Sequence, residues 1–595
     1  MGERVPGAPV SQTPPEERLD SWKEIAAYLH RDVTTVQRWE KREGMPVHRH
    51  VHDKRGSVYA LPGELDAWVQ GRRQQLEEEE ETEKESAPAP VKAEGELASG
   101  ATSRGRRWVA WTVVAAVALL AIGYLALRGR SGGGHPKINS LAVLPLKNLS
   151  GDPAQDYLAD GMTEAVIGRL SGIRDLRVVS HTSVMRFRNP QESAREIAGT
   201  LGVDALVEGS VIRDGNRIRV TAQLIRGATD EHFWSETYDR ELSDVLSLQS
   251  ELAQKIAEKV QVSMTGEEHE RLTAAHPVAP EVYESYLKGR FALGKANSRP
   301  EVEESIGYLE DAITKDPTFA PAYVGLADAY GALGTVFMGV PAAETRPKVI
   351  SAARKALELD ANLSEAYVLL ADAEQEEWQW AEAEAEYRRA LALNPNDARA
   401  HYDMAVWLAC QGRTNEAVEW AKRGRELDPV AITGSGVGWI LFLSHRFDES
   451  IRESRGEVAV QPENAGALTT LGFALIANNQ ASEAIPVLEK AVSISNRSAA
   501  VIGVLIHAYA QGGRRDDAVA LLAELKKRNE TGYVPAGAFV NTYLGLGENE
   551  QAFVWLERAY KEQSNILQFV KVHPFFDTIR GDARFTDLVR RIGLG

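Results

Sequence analysis

The chain has 595 residues, 44% of them hydrophobic and 26% charged, so it is too long for a single core and ordinary in composition for folded protein. Its formal net charge of −17 argues against a protein that coats nucleic acid along its whole length, and its single cysteine excludes an intramolecular disulfide. The charge is unevenly spread: residues 18–75 hold 11 Lys and Arg against 8 Asp and Glu, a balance of +3, whereas residues 76–100 hold 9 Glu against 2 Lys, a balance of −7. A local basic surface followed by a solvated spacer is expected.

Residues 1–17 read as a disordered tail. Ser21-Trp22-Lys23-Glu24 is a capping-box pattern, a hydroxyl for the first turn with a glutamate three residues on. Trp22, Ile25, Ala26 and Leu29 then fall on one helical face. A second short helix, Val33 to Arg42, turns Val33, Val36 and Trp39 inward. Its other stripe is Thr34, Gln37, Arg38 and Lys41, with Thr35 and Arg42 beside it. Two short helices of which the second presents such groups form a helix-turn-helix arrangement, because guanidinium and amide forks match base edges and cations match phosphates. Past Gly44, Val47 to Leu61 reads as a hairpin turning at Asp53-Lys54-Arg55-Gly56, and Pro62 opens a third helix carrying Leu65, Trp68 and Val69. Residues 18–75, which include the stretch LDSWKEIAAYLHRDVTTVQRWEKREGMPVHRH, resemble the winged helices of MerR-like and excisionase-like DNA-binding families. The resemblance implies that Thr34, Gln37, Arg38 and Lys41 enter the major groove while Lys54 and Arg55 reach phosphates. His48, His50 and His52 alternate along a strand and share a face, but no carboxylate or cysteine stands at metal spacing, so no metal is expected there.

Residues 76–107, opening with five consecutive glutamates, are expected to form an acidic flexible linker with a reach of roughly 30 Å. Trp108 to Leu127 contains no charge and, at 1.5 Å per residue, matches the roughly 30 Å core of a bilayer. Residues 108–128 are therefore expected to be one transmembrane helix; a cleavable secretory signal is not expected, because residues 1–20 are polar. Arginines flank both ends, so orientation follows from DNA binding: a cytoplasmic amino terminus, and everything beyond a Gly-rich linker at 129–137 in a periplasm.

Residues 138–265 alternate strands and helices: Ile138–Leu146, helix Gln155–Ser171, Leu176–Ser180, helix Ser193–Leu201, a hairpin of Ala205–Ile212 and Arg217–Ile225, a strand at His232–Tyr238 and a helix from Asp244 to Val262. Leu201-Gly202-Val203-Asp204-Ala205-Leu206-Val207-Glu208-Gly209-Ser210 and the hairpin after it resemble the amino-terminal domain of TolB-like proteins, which implies a periplasmic protein-interaction module. Asp156, Asp160 and Glu164 lie four apart on one helical face, near Asp152, and read as a solvated stripe, not a metal site. No phosphate-binding glycine loop or nucleophile elbow occurs, so neither an enzyme nor a cofactor is expected.

From about residue 281 the chain repeats. Ala383, Ala417, Ser450, Ala484, Ala518 and Ala552 recur every 33 or 34 residues, and Pro395, Pro429 and Pro462 keep the same period. Segments such as ALALNPNDARAHYDMAVWLACQGRTNEAVEWAKRGRELDP resemble tetratricopeptide repeats, each of which is two antiparallel helices stacking into a superhelix with a concave groove. About eight pairs are expected, the second lengthened around Gly334–Pro347, followed by a cap from His573 onward; residues 278–595 form this solenoid. Trp407, Trp420, Tyr402, Tyr367, Tyr387 and Cys410 are expected to be core, and Trp378 and Trp380 to bracket a turn.

The fold class expected is therefore multidomain: a small winged helix-turn-helix, one transmembrane helix, an α/β TolB-like domain and an all-α superhelix. The function expected is a membrane-anchored, one-component bacterial transcription regulator in the inner membrane. Its expected partners are DNA, a protein or peptide in the repeat groove, the inner membrane, and a second copy in a homodimer. The alternative is a membrane-tethered scaffold whose amino-terminal module binds protein.

Overall fold

The structure, a computed structural model, describes residues 19, 21–29, 31, 35–36, 39–40, 45–49, 58–68, 137–273, 278–335, 338–430 and 436–595. The expectations for 1–17, 76–107, 108–128 and nearly all of 129–137 lie outside the described residues. Among the described residues no helix is long and apolar enough to cross a membrane. The chain divides into two units, Met1–Ser131 and Gly132–Gly595.

In the first unit the helix Trp22–Tyr28 is capped as its sequence predicts, the Ser21 hydroxyl accepting from the Glu24 amide at 3.2 Å. Ile25 and Ala26 face a small core completed by Val36, Met45, Val58, Ala60 and Leu65. Strands His48–Arg49 and Val58–Tyr59 pair antiparallel, the base of the expected hairpin, and residues 62–68 form the expected third helix. Trp39 and Trp68 close the core edge with ring centroids 5.6 Å apart.

The second unit opens with a mixed sheet. Strand Ser140–Val143 lies parallel to Arg177–Val178 on one side and to Ala205–Asp214 on the other. Ala205–Asp214, Arg217–Arg226 and Glu231–Glu241 then run antiparallel, and the short strand Lys147–Asn148 also pairs with Ala205–Asp214. Asp204 explains part of the motif that precedes the hairpin: its carboxylate accepts from the amides of Asn139 and Ser140 at 2.9 and 3.0 Å, tying two strand ends together. Gly209 explains another part, since a Cβ there would stand 2.1 Å from the Thr221 carbonyl across the strand pair. Helices Asp156–Ser171 and Val245–Val260 pack on the sheet and on each other. A helix at Gly266–Thr273, which the apolar pattern does not announce, follows.

Eight helix pairs come next among the described residues, from Pro280–Lys295 with Arg299–Lys315 to Ala536–Leu546 with Asn549–Lys561. The lengthened second pair is real: Ala320–Leu333 and Ala342–Leu359 are separated by residues 334–341. The six residues recurring at the repeat period, Ala383 through Ala552 with Ser450 among them, are all fully buried on the second helices of their pairs. Small side chains there let helix backbones approach, and Gly503 shows how close: a Cβ would meet the Ala538 carbonyl at 2.4 Å. The sheet layer and the array share a core, because Val282, Tyr283 and Leu287 of the first pair, with Val278 just before it, belong to the same buried cluster as the sheet.

Candidate functional site

Of the residues expected to contact DNA, only Thr35 is described. It lies in helical residues 35–36, half-buried beside the fully buried Val36. Thr34, Gln37, Arg38, Lys41, Arg42, Lys54 and Arg55 lie outside the described residues, as do His50 and His52. His48 is placed: its Nε2 lies 2.7 Å from Glu64 Oε2, and its ring stacks on Tyr59 at 5.1 Å. The carboxylate partner thus comes from the third helix, at a sequence distance that no metal spacing suggests. No group of three potential metal ligands occurs among the described residues.

The carboxylates of Asp156–Ser171 are not the solvated stripe expected. Asp156 accepts from Asn148 Nδ2 at 2.8 Å, Asp160 pairs with Arg188 at 2.5 Å, and Glu164 pairs with Arg290 of the first helix pair at 2.5 Å. The reason is tertiary: Asn148 and Arg188 of the sheet layer partner Asp156 and Asp160, and the array packs against this helix and brings the Arg290 guanidinium to Glu164.

Arg290 begins a ladder of charges along the first helices of pairs one to four. It reaches Asp328 at 3.2 Å and Glu365 at 3.4 Å. Arg399 continues the ladder to Asp328, Asp372 and Asp403 at 3.6, 3.2 and 3.3 Å. Five carboxylates therefore share two guanidiniums. Burial lifts the Glu365, Asp372 and Asp403 carboxyls above the usual range, Asp403 furthest, with Asp372 beside it adding to the lift. Burial pushes Glu164 the same way, but the charges of Arg290 and His181 hold it below its ordinary value. Apart from Glu164, which the sequence sets in a carboxylate stripe, none of these groups is conspicuous in the sequence. The one signal that finds them is superposition of the repeats, which sets charged residues in otherwise apolar first helices.

The remaining length of the groove face is not open. After Lys561 the chain crosses the first helices of later pairs, where an end cap is expected from sequence. Phe569 and His573 pack on Trp439, and His573 and Phe575 on Phe442 and Phe473. Phe575 lies 4.0 Å from the His507 ring, centroid to centroid. Trp378 stacks on Tyr560 at 5.2 Å, and Trp380 Nε1 donates to the Ile592 carbonyl at 2.8 Å, so both contact the carboxy-terminal part of the chain. Trp407, Tyr402, Tyr387 and Cys410 are buried as expected, whereas Tyr367 and Trp420 are partly buried against the same core. The helix Ala583–Arg591 is held to the last pair by Arg584–Glu550 and Arg591–Glu557, while Ile592 at its end meets Trp380 of the third pair.

Residues 475–532 of the array match the tetratricopeptide-repeat family model. Residues 137–258, the sheet layer, match the model of the second domain of HilA/YgeH-like transcriptional regulators. A curated relative described as "Putative adenylate cyclase 3", from Rhizobium meliloti (strain 1021), is 38% identical over 192 residues, 32% of this chain and 32% of that protein. The chain thus spans about a third of the length of the curated relative it matches. Among solved structures, YrrB, described as a TPR protein with an unusual peptide-binding site, is 19% identical over 34% of this chain and 96% of its own, with a TM-score of 0.23. TTC0263, a thermophilic TPR protein in Thermus thermophilus, is 16% identical over 33% of this chain and 99% of its own, with a TM-score of 0.28. Two separate stretches of the chain thus match family models, residues 137–258 and residues 475–532.

Proposed function

We propose that this protein is a membrane-anchored transcription regulator. In this reading residues 18–75 bind DNA through Thr34, Thr35, Gln37, Arg38, Lys41, Arg42, Lys54 and Arg55, and residues 108–128 cross the inner membrane. The TolB-like layer and the array bind a protein or peptide on the periplasmic side. The observation that carries it is the union, in one chain, of a transcriptional-regulator second domain with tetratricopeptide repeats. The small core and paired strands of the amino-terminal unit, with a basic balance in its sequence, support DNA as its ligand. A homodimer would present two such modules to two half-sites. No enzymatic activity enters the proposal, since the relative described as a cyclase is matched over only a third of its length.

The test is selection of duplex DNA by the full chain, followed by a salt series. Lys54 and Arg55 in contact with phosphates give a log–log salt slope of about −1.8, so affinity falls roughly 12-fold between 50 and 200 mM salt. The double variant Arg38→Glu with Lys41→Glu is expected to lose retention of the selected site. No retention even at the lowest salt would leave the module as a protein-binding adaptor, and equal retention of random and selected DNA would refute site-specific regulation.

A further inference from the structure

A superhelix that binds peptides does so on the first helices of its pairs, the face lining the groove. In this protein one segment of the chain itself lies there. The chain leaves the last pair at Lys561, turns at Gln563, whose φ of +46 is rare for a non-glycine residue, and crosses from pair three to pair eight as Asn565–Phe576. Its contacts have the two parts of a bound peptide. At one end side chains read polar groups: Gln375 donates to Gln568 Oε1 at 2.6 Å, and Arg346 to the Gln563 carbonyl and Asn565 Oδ1 at 3.1 and 3.2 Å. Glu376 accepts from Asn565 at 2.9 Å, and the His445 ring nitrogen lies 3.1 Å from the Val572 carbonyl. At the other end Phe569, His573 and Phe575 fill an aromatic wall of Trp439, Phe442 and Phe473.

The seat is imperfect. Arg346 Nη1 and Glu562 Oε2, both at the turn into the groove, are buried without a hydrogen-bond partner among the described residues. A buried polar atom left so is a standing cost that an intermolecular ligand with better reach can remove. His573 is nearly inaccessible in an aromatic surrounding that does not favour its charge.

We propose that Asn565–Phe576 is an intramolecular ligand of the repeat array, and that the array's external partner binds by displacing it. The inference rests on reading the array as a protein- or peptide-binding surface. It specifies the partner's chemistry: a segment of short 3-10 turns with two side-chain amides three residues apart, one to meet Arg346 and one to meet Gln375, followed by aromatic residues around a proline. The turn from Lys561 into the groove is only a few residues long, so the resident segment acts at an effective concentration of the order of millimolar or more. A competitor therefore binds the resting protein far more weakly than the emptied groove.

The experiment uses the full chain and a fluorescent synthetic peptide of residues 563–578, with hydrogen exchange across 565–576 as a second reading. Gln568→Glu sets a carboxylate in a buried amide pair, and Asn565→Ala removes the bonds to Arg346 and Glu376; neither alters the groove wall. Both variants are expected to exchange faster across 565–576 and to bind the peptide at least tenfold more tightly than the unaltered chain. Circular dichroism matched to the unaltered chain shows that the helices persist; if Gln568→Glu fails it, Asn565→Ala carries the test. Segments still protected, with no gain in peptide binding, would overturn the proposal by making Asn565–Phe576 a fixed part of the core. Segments released, yet with no peptide taken up, would instead overturn the underlying reading of the groove as a peptide site.

Discussion

His573 offers a quantitative check on the packing of the groove. It is fully enclosed, and burial, together with the positive charges of His507, Arg580 and His445 around it, pushes its pKa down to about 3 from 6.5. The folded pKa lies below the unfolded one, so the unfolded chain takes up the proton first. Stability is complete above about pH 6.5 and is lost as pH falls toward 3. Once both states are titrated the loss is about 5 kcal/mol, and at pH 5 it is about 2 kcal/mol. His507, lowered by burial to about 4, adds a loss of similar size at pH 5. The perturbation is His573→Asn, which keeps an acceptor at the Nδ1 position for the Phe575 amide and cannot be protonated. Equilibrium urea denaturation of the full chain at pH 7.5 and pH 5.0 is compared between the two proteins. The variant is expected to lose about 2 kcal/mol less over this interval than the unaltered chain, whatever its stability at pH 7.5. Equal losses would mean that the imidazole reaches water in the folded state, and the account of the groove as an enclosed aromatic seat would be wrong.

Two further outcomes concern the array. Arg290→Met leaves Glu164, Asp328 and Glu365 without their shared guanidinium and is expected to cost about 3–5 kcal/mol in chemical denaturation. Adding Glu164→Gln should return part of that cost, so a double variant no more stable than the single one would show that Arg290 acts through packing alone. Ala484→Leu forces a larger side chain between helices where no surface is exposed and should cost about 1–3 kcal/mol, whereas Val554→Ala, at a position 59% exposed, should change the denaturation midpoint little.

What the sequence revealed and what it hid divide along physical lines. The repeat period was legible because close packing of helix backbones demands a small residue at one position of every pair, and Ala383 through Ala552 record that demand in order. The sheet layer was legible because Asp214-Gly215-Asn216 forces a turn and alternation fixes the strands beside it; Ala205–Asp214 and Arg217–Arg226 pair in that register throughout. The charge ladder was not legible, since Glu164 and Arg290 are 126 residues apart and each looks solvated in its own helix. The course of Asn565–Phe576 was hidden for the same reason: His573-Pro574-Phe575-Phe576 announces burial, but not which surface buries it. Of the residues expected to read DNA, Thr35 alone lies among the described residues, half-buried beside Val36.

Solenoids ordinarily tolerate changes in repeat number, because each unit touches only its neighbours. The bonds from Asn565 and Gln568 back to Glu376 and Gln375, made by residues beyond the eighth pair, abolish that freedom here. Removing or inserting one unit between pairs four and seven would rotate and shift the far end of the superhelix, and the crossing segment would no longer reach its anchors. The segment works as a ruler: it sets the count of units and the pitch of the coil together, so the length of this array is a property of its closure and not of its repeats.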